Sequence, residues 1–388
     1  MKKIKVAISQ RIIPHYRVPA FAELASRENI DLTVYYGKGF ATGSQVNASL
    51  IEGFKAKKLF TIMLNYKGIY KTPQLRVWHP FLFFHLIAGN YDVVIAEPTS
   101  NFYNDIFIWF YCKLFRKKFI WHESGMAQKN EFPLYRRLIN PIASILIKGA
   151  DAFITYTSAA DKSLLDNYLV NPEKIFRAQN TIDTSKTDDD IIKFQPLVTK
   201  TKKELGLNGH KVCLYVGGIE LKKEINKLIS AASNINDKGI PTKILVIGDG
   251  PDKNLLINQL TEQELDQTIF IGKKIEDITL YILLSDVVVL PSLGGLSVVQ
   301  ALACGKPFIG SEKIEHMGIK DYITDGVNGF LVKDNEISSL QNSIEKIFSD
   351  ESLYKELCKN AYKTSKTFTI ARMVDGMENS IKFVINQK

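Results

Sequence analysis

The sequence predicts an α/β protein made of two doubly wound, Rossmann-like domains. Three observations carry that prediction. The chain has 388 residues, about twice the length of a typical single domain. Short apolar, β-rich runs alternate with helix-length amphipathic stretches, the pattern of parallel sheets covered on both faces. The alternation breaks once, at residues 183–208, a polar stretch with Asp188, Asp189, Asp190, Pro196 and a lysine cluster, which we expect to be a linker.

The elements follow in order. Residues 5–9, 32–36, 92–96, 118–122 and 152–156 read as buried strands, because their apolar runs are of strand length. Residues 103–115 and 135–148 have amphipathic, helical spacing. Past the break, residues 212–216, 243–247, 268–271, 287–290 and 307–309 repeat the strand pattern, separated by helices such as 224–238. We expect domains at 1–183 and 184–367. Ligand is expected beyond the carboxyl ends of the strands, in the crevice between the two halves.

Composition narrows the function. With 45% hydrophobic and 23% charged residues, the chain is neither disordered nor fibrous. Its longest uncharged apolar stretches, 81–87 and 106–112, are far shorter than a membrane span. The basic start leads into only a strand-length apolar run ending at Gln10 and Arg11, which is not the pattern of a secretion signal. Cys112, Cys213, Cys304 and Cys358 are scattered, so no disulfide framework or zinc site is expected and a reducing cytoplasm is. No dinucleotide-binding, P-loop or nucleophile-elbow motif occurs.

The net charge of +9 is unevenly divided: residues 1–150 hold 21 Lys and Arg against 9 Asp and Glu, and the remainder 29 against 32. An anionic partner is therefore expected for the first part only. Basic residues with interleaved aromatics at 54–58, Tyr66-Lys67, Tyr70-Lys71 and 107–118 suit an anionic membrane surface. Residues 106–110 can equally be a buried helix. No nucleic-acid-binding signature appears, so nucleic acid is not expected as a partner.

One series of short motifs is distinctive in its order. Tyr215-Val-Gly-Gly-Ile219 is followed by Lys222-Lys223, then by Val246-Ile-Gly-Asp-Gly-Pro251 and Phe270-Ile-Gly272. Ser285 to Ser292, Gly295-Leu-Ser-Val298 running on to Cys304-Gly-Lys-Pro307, and Asp325-Gly-Val-Asn-Gly-Phe-Leu331 complete it. The series resembles the retaining GT-B glycosyltransferases often called family 4. The first half agrees, with Pro14-His-Tyr-Arg-Val-Pro19, Trp121-His-Glu-Ser-Gly125 and Asn180-Thr-Ile-Asp183. The resemblance implies a GT-B fold, two Rossmann-like domains facing each other across a cleft. The terminal segment, about 368–388, would pack back on the first domain. It implies a nucleotide-diphosphate sugar as co-substrate, a saccharide or lipid-linked acceptor, and no metal.

Carried over by position, the resemblance also suggests site residues. Gly217 and Gly218 end a strand where backbone can approach a phosphate, and Gly248 ends the next. Lys223, near the start of the following helix, matches the cation that neutralises the donor diphosphate; Lys222 competes for the role. Gly295, Leu296, Ser297 and Val298 would offer amides at a helix N-terminus, with Ser297 as the alternative helix cap. Gln300 stands where the family has a ribose-binding Glu, and Gly218 where it has an Arg. His122 would contact the reacting sugar. Glu123, Tyr16, Arg17 and Arg11 would face the acceptor side, and Arg11 or Arg17 could replace the missing cation. A catalytically inactive sugar-nucleotide-binding protein remains the competing class.

Overall fold

The computed structural model describes residues 3–39, 46–66, 74–97, 102–123, 133–274, 276–292, 295–312, 318–333 and 336–387. Lys67, Tyr70, Lys71, Ser124 and Gly125 lie outside them, as does the side chain of Glu123. The chain forms two units, Met1–Asn180 with Ile370–Lys388, and Thr181–Thr369.

The strands of the first unit are β1 (Ile4–Gln10), β2 (Ile30–Tyr36), β3 (Lys55–Lys58), β4 (Ile62–Tyr66), β5 (Gln74–Trp78), β6 (Val93–Ala96), β7 (Lys118–Glu123), β8 (Ala152–Thr155) and β9 (Ile175–Arg177). All but β4 and β5 form one sheet in the order β3-β2-β1-β6-β7-β8-β9, parallel at every pairing. The sheet is buried on both faces, which is why its central strands are continuously apolar. Val6 and Ile8 of β1 join one core with the helices Val18–Ser26 and Ile370–Asn386. Ala7, between them, joins the other, with Leu82–Gly89 and Tyr103–Leu114.

The terminal helix docks closely. A Cβ at Gly376 would lie 2.1 Å from the Arg177 carbonyl oxygen, so only glycine allows this approach. Arg27 holds the same helix by a 2.9 Å bond to Asp375. Strand β3 carries no apolar run and is not visible to periodicity. Its lysines stand at the sheet edge, where charge discourages further strand pairing. Phe54, just before it, is edge-on to Phe21 at 5.6 Å and belongs to the core rather than to a membrane surface.

The second unit holds β10 (Lys211–Val216), β11 (Thr242–Ile247), β12 (Thr268–Gly272), β13 (Val287–Leu290), β14 (Phe308–Ser311) and β15 (Gly329–Val332). These too form one parallel sheet, ordered β12-β11-β10-β13-β14-β15. The Asp325–Leu331 motif is a structural device. Asn328 is fully buried and bonds the Tyr322 carbonyl and Thr324 amide, and a Cβ at Gly329 would strike the Phe308 backbone.

The expected linker at 183–208 is corrected. It is folded into two helices, Thr184–Phe194 and Val198–Glu204. Asp183 caps the first through the amides of Ser185 and Lys186, satisfying otherwise orphaned donors. Ile191, Val198, Leu205 and Leu207 pack on the second unit's core. The charges lie on the solvent side: Asp188 pairs with Lys366 at 2.6 Å.

Candidate functional site

Each sheet has one topological switch point, where connections from adjacent strands leave in opposite directions and a ligand can enter. In the first unit it lies between β1 and β6; in the second, between β10 and β13. The candidate residues gather at these two places, which are described in turn.

At the first switch point Gln10 ends β1 and Arg11 follows it. Pro14 then leads into a 3₁₀ turn, His15–Arg17, closed by the Arg17 amide on the Pro14 carbonyl at 2.9 Å. The turn places Arg17 inside the unit, 4% exposed, with its guanidinium 4.4 Å from the Tyr156 ring centroid and 5.6 Å from that of Tyr16. Stacking on aromatic faces suits the flat, weakly hydrated guanidinium. Tyr156 in turn meets His122 edge-on, with ring centroids 4.2 Å apart and its hydroxyl 3.4 Å from Nδ1. Arg17, Tyr156 and His122 thus form one stack beneath the strand ends.

Burial acts to lower the Arg17 pKa, but Tyr156, Glu97 and Tyr16 together outweigh it and the group is held charged. Burial lowers the Arg11 pKa and raises that of Tyr16. His122 is held well below the ordinary imidazole value by burial and then by the Arg17 charge, so it is neutral at pH 7. The Nε2 of His122 and the Nε2 of Gln10 are buried without a hydrogen-bond partner among the described residues. Two such orphans at one sheet end are what a ligand-binding face leaves behind.

The structure therefore brings Arg11, Tyr16, Arg17 and His122 together, with Arg17 buried against Tyr156 and Tyr16 rather than exposed and Arg11 half-buried. Sequence reasoning missed Glu97, next after β6 and acting electrostatically on Arg11, Tyr16 and Arg17, and also missed Tyr156. Glu97 follows a buried apolar strand, and that position was the available signal.

The neutral His122 has a consequence for stability. Below about pH 6.5 the unfolded chain takes up a proton at this histidine that the folded chain refuses. Stability should then fall with falling pH, by up to about 1.4 kcal/mol per unit, until the depressed folded pKa is passed. His79, 1% exposed and also lowered by burial, acts in the same sense. All 3 tryptophans, Trp78, Trp109 and Trp121, lie in the first unit, so denaturation followed by their emission reads this unit alone. His122→Gln should have a shallower acid slope than wild type; equal slopes would refute the neutral assignment.

At the second switch point two glycines let backbone meet backbone. A Cβ on Gly248, at φ +143°, would fall 1.8 Å from the Gly217 carbonyl oxygen, and one on Gly250 would fall 2.1 Å from that of Ile219. Gly217 donates to Ile247 at 2.9 Å and Gly248 to Gly272 at 2.9 Å. Gly218 differs: its Cβ would make only ordinary contact, 3.5 Å from Glu220 Oε1, so glycine here is not required by sterics.

Lys223 closes a 3₁₀ turn, Leu221–Lys223, and Glu224 in the left-handed region separates it from the helix Ile225–Asp237. Lys223 thus stands just before the start of that helix. Burial lowers its pKa, with Glu220 opposing and Lys222 reinforcing the shift. Lys222 is exposed and bound to Glu220 at 2.6 Å. In the loop after β13, Gly294 lies outside the described residues and Gly295 has open space around its Cα. Leu296, not Ser297, is the capping position of the helix Ser297–Ala303. The Val298 amide closes on the Gly295 carbonyl at 3.3 Å, which spends it on the turn. Gln300 is half-buried on the same helix, whose Val299, Leu302 and Ala303 enter the core.

Comparison with known proteins fits this geometry. Residues 198–364 match the family model for glycosyl transferases group 1. An uncharacterized glycosyltransferase of Methanocaldococcus jannaschii is 26% identical over 390 residues, 93% of each chain. The UDP-Gal:alpha-D-GlcNAc-diphosphoundecaprenol alpha-1,3-galactosyltransferase of Escherichia coli is 29% identical over 231 residues, 56% of this chain and 57% of that one. Among solved structures, Anabaena HepE in complex with UDP superposes with a TM-score of 0.74 at 18% identity, covering 98% of this chain and 100% of its own. The fold is that of the GT-B proteins.

Proposed function

We propose that this chain, a glycosyltransferase whose residues 198–364 carry the group 1 match, moves a sugar from a nucleotide-diphosphate donor to a saccharide acceptor with retention of anomeric configuration. In this reading it belongs to family 4, in a variant with a shortened Gly-Leu-Ser loop. The observation that carries the donor assignment is the second switch point, where Gly217, Gly248 and Lys223 combine close backbone approach with a half-buried cation. Relatives and neighbours support it: HepE was solved with UDP and with UDP-glucose.

Lys223 would stabilise the charge that grows on the leaving diphosphate, an electrostatic effect from a preorganised group. Gly218 and the Gly295–Val298 turn would line the phosphates, and Gln300 would hydrogen-bond the ribose as a neutral partner. On the first unit the neutral His122 would accept or donate a hydrogen bond at the sugar, fixed by Tyr156 and Arg17. Arg11, Tyr16, Glu97 and Glu123 would receive the acceptor. Retention follows from front-face attack, in which the leaving phosphate accepts the acceptor's proton; no metal takes part. The basic excess of residues 1–150 favours an acceptor carried on lipid, as in a cell-surface polysaccharide or lipopolysaccharide precursor, at the cytoplasmic face of an anionic membrane.

Incubation with UDP-, GDP- and dTDP-sugars tests the reading. One nucleotide class should support slow donor hydrolysis, with the first-formed sugar keeping the donor's anomeric configuration by proton NMR and EDTA leaving the rate unchanged. The second reading, a sugar-nucleotide-binding protein without turnover, is motivated by Gly218 and Gln300 in place of the charged family residues. Tight donor binding with no hydrolysis and no transfer would favour it.

A further inference from the structure

One face of the first unit is apolar where a water-facing surface is normally polar. The helices Leu82–Gly89 and Tyr103–Leu114 pack together, with Phe83 against Phe110 at 5.9 Å and edge-on to Tyr111 at 6.3 Å. Their inner residues, Leu82, Leu86, Ile108 and Tyr111, are in the core. Their outer residues are apolar as well: Phe84 is 65% exposed, Phe107 37%, Phe110 50% and Leu114 57%. The last three, with Tyr103 before them, follow the i, i+4, i+7, i+11 spacing of a single helix face. Phe81, 53% exposed, stacks on Phe60, 63% exposed, at 6.0 Å and extends the patch. A contiguous apolar patch of this kind marks a docking surface.

Its charge identifies what docks. Within residues 81–91 and 102–118 the only carboxylate is Asp105, which is buried. Lys113 and Arg116 are exposed at the end of the second helix, and Lys57 and Lys58 are exposed just before Phe60. A second copy meeting this face by twofold symmetry would set these cations against themselves. An anionic lipid surface accepts both parts, aromatics at the headgroup boundary and cations among phosphates.

We propose that this face seats the protein on an anionic bilayer through Phe60, Phe81, Phe84, Phe107, Phe110 and Leu114, rimmed by Lys113 and Arg116. The inference rests on the membrane part of the function above, for which it names the surface. It goes beyond that reading in assigning half of the attraction to inserted aromatics. No helix among the described residues is long and apolar enough to cross a membrane, so the contact is peripheral.

The full chain is sedimented with vesicles of phosphatidylcholine alone and with phosphatidylglycerol added. Wild type should bind the anionic vesicles and lose binding as salt rises. Lys113→Glu with Arg116→Glu should weaken binding about tenfold or more. Phe84→Ser with Phe110→Ser should weaken it at least as much, at low salt too, while the exposed Lys359→Glu of the second unit leaves it unchanged. Donor hydrolysis in solution should be equal in all variants, which certifies their folding. Binding indifferent to lipid charge, or aromatic variants that bind like wild type, would overturn the surface and leave the transferase reading intact. Light scattering showing a wild-type dimer and a monomeric aromatic variant would assign the face to self-association instead. Vesicle binding without donor turnover would sink the enzyme reading and leave the surface standing.

Discussion

Lys223→Ala should lower kcat/KM for the nucleotide-sugar donor by roughly 10- to 150-fold, while Lys227→Ala changes it less than about twofold. The first figure is the loss of one charge-assisted hydrogen bond to a diphosphate, about 1.5–3 kcal/mol, at about 1.4 kcal/mol per decade. The control is well matched. Lys227 is a half-buried lysine four positions on, but it is engaged with Glu224 at 2.9 Å and lies on the helix that follows rather than in the turn. Lys222 makes a second control, because its pair with Glu220 at 2.6 Å commits it to the protein. Comparable losses in all three variants would mean that net charge, not position, matters, and the assignment of Lys223 would fail.

Gly248→Ala should be the most damaging small substitution in the second unit. The new methyl would sit 1.8 Å from the Gly217 carbonyl oxygen at φ +143°, so the two strand-end loops must separate and the backbone must leave a region alanine avoids. Strain and overpacking together should cost about 2–6 kcal/mol. For a unit of this size a loss of about 3 kcal/mol lowers Tm by roughly 6–12 °C. Gly218→Ala meets only ordinary contacts and should be neutral or slightly stabilising. Tryptophan emission does not see this unit, so calorimetry with and without donor nucleotide is the measurement. A Gly248→Ala protein melting like wild type would show that the close approach of these loops is not fixed by glycine.

Much of the fold was legible because it depends on local rules. The expected strand runs of both halves coincide with β1, β2, β6, β7, β8 and with β10 to β14 to within a residue or two, since a strand buried on both faces must be apolar throughout. Elements that break this rule went unseen. Edge strand β3 is mostly lysine, β9 has only three residues, and β15 begins with glycine. The stretch 184–204 reads as a linker because charges on its solvent side dilute the apolar stripe that packs it down.

What the sequence alone determined was the α/β class and the two-domain plan. It also placed short glycine turns after the first two strands of the second half, where backbone sterics act within a few residues. Tertiary structure decided the rest. Gln10 with Arg17, Glu97, His122 and Tyr156 come from four separate parts of the chain, and only the strand order around the switch point gathers them. Their gathering makes His122 neutral and leaves Arg17 buried, because desolvation and neighbouring charge exist only once the cluster is closed. The aromatic face was likewise undecidable beforehand. Residues 103–115 have helical spacing, but Phe107 and Phe110 are as apolar as Ile108 and Tyr111, and only packing shows that the first pair is turned outward and the second inward.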